Sequence, residues 1–256
     1  MSGDIETAFT PPTQAEAGTV VFDHGAWDAL LGLRLHIPPA PPTRLAYGAF
    51  TAADRAALAD YLARLQRQGV AGLGRADQFA FWINLYNAQT VAVVLDHYPV
   101  ASIRDIALGG SLRAAVSGGP WQAKLMTIAG LRLSLDDIEH AVLRRLFRDP
   151  RLHYAINCAS LGCPGLRPSA FTGNTLEADL QVSARQFINS PHGVSFDHNS
   201  LVLSGIFEWY RKDFGGTDQT LLHHLASHAH APLRERLLAA GRVARYQYDW
   251  GLNDRK

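Results

Sequence analysis

The run "DQFAFWINLYNAQTVAVVLDH", about Asp77 to His97, is apolar almost all the way round. A helix without a polar face has to be covered on every side. It therefore belongs at the centre of the fold, with the other elements packed around it. A membrane span is the competing use of such a run. Asn84, Asn87 and Gln89 interrupt it, and the unbroken apolar part falls short of the roughly 18 residues that a span needs. We read the chain as having no transmembrane segment.

With 256 residues, the chain is long enough to bury a core without covalent staples. Its net charge is +1 and no basic run stands out, which gives no basis for nucleic-acid binding. Two cysteines are too few for a disulfide scaffold. "MSGDIETAFTPPTQ" lacks the basic start and apolar core of a signal peptide. Either the protein is cytoplasmic, or it is exported with its signal already removed. The periplasmic or exported reading is preferred.

Punctuation along the chain gives the element order. Residues 1–18 are polar and Pro-rich and read as a disordered or extended lead-in, and "IPPAPPTRL" reads as an extended linker. The division is thus a lead-in with linker over 1–44 and one globular domain over 45–256. Thr51, with Asp54 three residues on, caps a helix that Gly69 ends. Residues 100–133 are irregular and Gly-rich, with a hairpin turning at Ala129-Gly130. Ser134, with Asp137 three residues on, caps a helix through about Phe147. "RLHYAINCA" reads as a strand, Asn174 starts another helix, and "GVSFDHNSLVLSG" is a hairpin. "IFEWYRKDF" is a short aromatic helix, and "VARYQYDW" is strand-like. The expected class is α+β, predominantly helical, with a small antiparallel sheet.

Five stretches carry a family likeness: "FWINLYNAQTVAVVLDHYPV", "LSLDDIEHAVLR", "HYAINCASLGCPGLRPSAF", "IFEWYRKDF" and "YDWGLN". In this order they resemble the family catalogued as domain of unknown function 547, over about residues 45 to 252. The resemblance implies which positions belong to the family's motifs. It implies no settled activity.

The chemistry-bearing candidates come from residue type and spacing. At about 100° per residue, Glu139 falls inside the apolar face made by Leu135, Ile138, Val142, Leu143 and Leu146. A carboxylate placed there needs a partner. That partner is either a structural group such as an arginine or a catalytic histidine, and His153, on the segment that follows, is the nearest imidazole in sequence. In a strand, His153 and Cys158 would face opposite ways, so a dyad requires the chain to turn before Cys158. With such a turn, Cys158 is a nucleophile, His153 its base and Glu139 the orienter. The backbone N–H groups of Ala159, Ser160 and Leu161 are candidates for an oxyanion site.

Each candidate has a structural alternative. Cys158 also reads as a buried thiol, or as half of a Cys158–Cys163 disulfide. Asn84 and Asn87 share a stripe of the central helix, where they either buttress loop backbone or bind substrate. Ser160 and Lys212 are further substrate-contact candidates, and Asp213 is the alternative to Lys212 at the end of its aromatic run. His224 and His228 are spaced like zinc ligands but lack a third, so no metal is expected, and no cofactor is called for. Two functions lead, and a redox role for the two cysteines is a lesser third. One is a cysteine-dependent hydrolase or acyl transferase acting on a small molecule or peptide. The other is a non-catalytic binding or scaffold domain with a buried Glu–His network.

Overall fold

The computed structural model describes residues 2–12, 20–39, 41–108 and 119–255. Its centre is the helix Arg75–His97, buried on nearly every face from Gln78 to Leu95. The helix Ala52–Gln68 packs against it. The cap on that neighbouring helix is reciprocal: Asp54 N–H donates to Thr51 Oγ1 at 3.2 Å, and Thr51 N–H donates to Asp54 Oδ2 at 2.7 Å. No helix among the described residues is long and apolar enough to cross a membrane.

The hairpins form where the turn residues put them. Met126–Ile128 pairs antiparallel with Leu131–Leu133 across Ala129 and Gly130, both at positive φ (48° and 80°). Val194–Asp197 pairs antiparallel with Ser200–Ser204, and Arg245–Gln247 adds a parallel third strand. The fold is predominantly helical α+β with small sheets.

Three local expectations are corrected. Ser2–Phe9 is a helix rather than extended lead-in, while residues 13–18 of that expected segment lie outside the described residues. Ile5 and Phe9 are one helical turn apart and both buried, and the Phe9 ring meets Trp82 edge-on at 4.9 Å. The segment after Asp149 is a 3₁₀ helix, Pro150–Tyr154, not a strand. Asp149 accepts from the Arg151 N–H at 2.9 Å, and Pro150 presets the first helical φ, so the chain is wound tightly before it can extend. The helix expected from Asn174 runs Leu176–Ile188, with the Thr175 hydroxyl donating to Asp179 at 2.7 Å.

The helix after Ser134 is capped as expected: Ser134 N–H donates to Asp137 Oδ2 at 2.7 Å, and Asp137 N–H to Ser134 Oγ at 3.2 Å. It then widens into a π-helix over Asp137–Phe147. The wider turn spaces the buried residues four and five apart: Ile138, Val142, Leu143, Phe147. Phe147 replaces Leu146 in the buried stripe, and Leu146 is only half-buried.

The apolar core falls into two clusters. One surrounds the central helix; the other gathers Tyr154, Phe187, Phe207, Phe214 and Leu225. The π-helix, the 3₁₀ turn and the Cys158 loop meet where these clusters adjoin.

Candidate active site

A cavity of about 230 Å³ opens at that junction. Tyr86 of the central helix and Glu139 of the π-helix line it, together with His153, Cys158, Tyr210 and Tyr248. Trp121, Trp209 and Trp250 complete an aromatic wall, and Asp136 and His140 add polar groups. The sequence-predicted trio Glu139, His153 and Cys158 therefore opens onto one space, although not through the expected pairings.

His153 is 2 % exposed. Its Nε2 meets Asp213 Oδ2 at 2.7 Å, and its ring stacks on Tyr210 at 4.1 Å between centroids. Asp213 also accepts two hydrogen bonds from Arg144, at 2.6 and 2.9 Å. Partial burial would raise the Asp213 carboxyl, but the hydrogen bonds and charge of His153 and then Arg144 hold it well below the usual carboxylate range. The carboxylate that orients His153 is thus Asp213, not Glu139. Among the described residues no protein hydrogen bond is made by the second ring nitrogen, Nδ1, and none joins His153 to Cys158.

Glu139 is 6 % exposed and accepts from the Tyr86 hydroxyl at 3.3 Å. Tyr210 lines the same cavity and lies close enough to this carboxyl to be influenced by it. Burial first, and then Glu139, raises the phenols of Tyr86 and Tyr210 far above their ordinary value, so both stay protonated as donors. Burial also raises Asp136, at the mouth of the π-helix.

Cys158 and Cys163 are joined in a disulfide, with Cα atoms 6.3 Å apart. In this state Cys158 carries no thiol, so the nucleophile role requires reduction. Ala159, between Cys158 and Ser160, holds the left-handed φ of 61° that makes the chain turn there. Asn157 Oδ1 takes its N–H at 2.8 Å. The Leu161 N–H is likewise occupied, by Gly251 O at 2.8 Å. Neither amide is free for an oxyanion.

Three of the four predicted substrate contacts are engaged in the fold. Asn84 brackets the backbone of Phe171, donating to its carbonyl at 2.8 Å and accepting from its N–H at 3.0 Å. Asn87 does the same for the loop that follows His153, donating to Ala155 O at 2.9 Å and accepting from Asn157 N–H at 2.8 Å. The amide oxygen and nitrogen of each side chain are therefore engaged with backbone. Ser160 is fully buried, with its hydroxyl 2.7 Å from that of Tyr248. Lys212 is exposed and lies off the cavity; its neighbour Asp213 is the residue that meets His153.

The aromatic wall is what sequence reasoning missed. Trp209, Tyr248 and Trp250 come from two distant segments and pack within 4.6–5.6 Å of one another, centroid to centroid. The signal was present in "FEWY" and "YDWG", whose aromatics lack a clean core periodicity. His224 is spent on the Tyr154 hydroxyl at 2.8 Å, and no group of metal-ligating side chains is found among the described residues.

Residues 70–188 match the family model described as "Protein of unknown function, DUF547". That span holds Tyr86, Glu139, His153 and both cysteines. No curated protein and no solved structure matches the chain.

Proposed function

Taking as premise that residues 70–188 are a DUF547 segment, we propose that the cavity is the active site of a thiol-dependent hydrolase or acyl transferase. The observation that carries this reading is the convergence of Cys158, a carboxylate-held His153 and Glu139 on one aromatic-lined space. Once the disulfide is reduced, Cys158 is the attacking group. Asp213 occupies Nε2 of His153, which leaves Nδ1 for proton transfer at the reacting centre. Glu139, between the Tyr86 and Tyr210 hydroxyls, fixes the polar floor against which a small acyl substrate lies.

The test is acylation of the reduced protein by a panel of small activated esters and thioesters, read by intact-protein mass spectrometry. The expected result is one acyl adduct, absent from Cys158→Ala and formed at least about a hundredfold more slowly in His153→Asn, the usual scale of a lost general base. If reduced protein gives no Cys158-dependent adduct with any ester in the panel, the enzymatic reading fails.

A second reading, non-catalytic binding, is favoured by the closed disulfide and by the use of both asparagines on backbone. Under it, small molecules protect the aromatic wall from quenching of tryptophan fluorescence while no covalent adduct forms.

A further inference from the structure

The two sulfurs of the disulfide have unequal surroundings. Both cysteines border the cavity, but Cys163 is 4 % exposed, whereas Cys158 is only half-buried and so the more open to attack. Cys163 Sγ receives the backbone N–H of Cys158 at 3.0 Å, lies 3.0 Å from the Tyr248 hydroxyl, and takes the Ser160 hydroxyl at 3.5 Å. Cys158 Sγ shares the two hydroxyls, at 3.0 Å from Tyr248 and 3.2 Å from Ser160, but has no backbone donor. A disulfide sulfur is a poor acceptor, and a thiolate a strong one. The two hydroxyls are shared, so the Cys158 N–H is the donor that singles out Cys163 and favours the state in which that sulfur carries the charge.

We propose that Cys158–Cys163 is an exchange disulfide, opened from the cavity by a small thiol that attacks Cys158 and expels Cys163. In the first step the incoming thiolate forms a bond to Cys158 Sγ. The electron pair of the old S–S bond leaves on Cys163 Sγ, where the Cys158 N–H and the two hydroxyls receive it. A second thiolate then displaces Cys158 from the mixed disulfide. Two small thiols are oxidised to their disulfide, and the protein gains the two electrons. The cavity wall carries two carboxyl groups, Asp136 and Glu139, two imidazoles, His140 and His153, and no lysine or arginine among the described residues. A cationic thiol is thus preferred to an anionic one. This activity goes beyond acyl transfer and is measured without any acyl substrate, so either can fail alone.

The oxidised protein is exposed briefly to 2-aminoethanethiol or to 2-mercaptoethanesulfonate at low salt. The reaction is quenched with acid and N-ethylmaleimide, and the cysteine peptide is sequenced by mass spectrometry. The thiol adduct is expected on Cys158 and maleimide on Cys163, in at least about tenfold excess over the reverse. After correction for thiol pKa, the cationic reagent is expected to react several-fold faster. Tyr248→Phe, which keeps the ring, is expected to slow opening about tenfold; if its near-ultraviolet circular dichroism shows a disturbed fold, Ser160→Ala carries the same expectation. Adducts shared equally or placed on Cys163, no opening without denaturant, equal rates for the two reagents, or a hydroxyl deletion in a folded variant that leaves the rate unchanged would each overturn the proposal.

Discussion

Asp213 accepts from a histidine on one side and an arginine on the other, which makes it the residue with most to lose on protonation. Its folded carboxyl is held below its unfolded value. The stability it contributes is therefore complete above the ordinary carboxylate range and is lost as pH falls through the depressed folded value. Urea midpoints of the wild type and Asp213→Asn, compared from pH 7 to pH 2, are expected to differ most at neutrality and to converge below about pH 4. The partnership was not legible in the sequence. The two residues are 60 apart, and nothing local says that a carboxylate at the end of an aromatic run turns inward. What could be read was that Glu139 sat among apolar neighbours. That placed it on the cavity, but with tyrosines for company.

At the scale of elements, caps and turns were readable and helix type was not. Thr51 with Asp54, Ser134 with Asp137, and Ala129-Gly130 all act where their chemistry puts them, because each is a contact within three residues. The π-helix depends on tertiary demand: the wide turn brings Glu139 to the cavity and Arg144, five residues on, to Asp213. An α-helical wheel has no means of showing that. Likewise, the Asp149-Pro150 start outweighed the strand-like run "LHYAI", whose apolar character reflects burial rather than extension. Since the whole π-helix hangs from the Ser134 cap, Ser134→Ala is expected to cost about 1 kcal/mol, with Ser134→Thr restoring most of it. Thermal unfolding of the two variants measures the difference.

For the molecule as a whole, two buried histidines set the acid limit. Burial pushes His24 and His224 down to about 4. His24 has both ring nitrogens engaged, Nδ1 with the Tyr61 hydroxyl at 2.6 Å and Nε2 with Asn84 at 3.3 Å; Asn84 donates, so the ring is neutral with its proton on Nδ1. Unfolded histidine titrates near pH 6.5, so between about 6.5 and 4 the unfolded chain binds more protons than the native one. Stability is expected to fall through that window on acidification, with about two protons taken up by these two rings on unfolding near pH 5 and His228, which burial also lowers, adding to them. The pH dependence of the urea midpoint gives the number, and a flat profile from 7 to 4.5 would contradict it. The overall class, by contrast, was legible early, because one all-apolar helix admits few arrangements other than a helical shell around it.

Residues 249–255 are laced into the rest by backbone hydrogen bonds to Leu45, Ala101, Ala159, Leu161 and Gly162, and that lacing sets Tyr248 over the sulfurs. Tyr248 lies 85 residues beyond Cys163 in the chain. At ordinary speeds of translation, both cysteines leave the ribosome roughly 4 to 17 s before the tyrosine that will cover them. During that interval the nascent protein presents an uncapped dithiol.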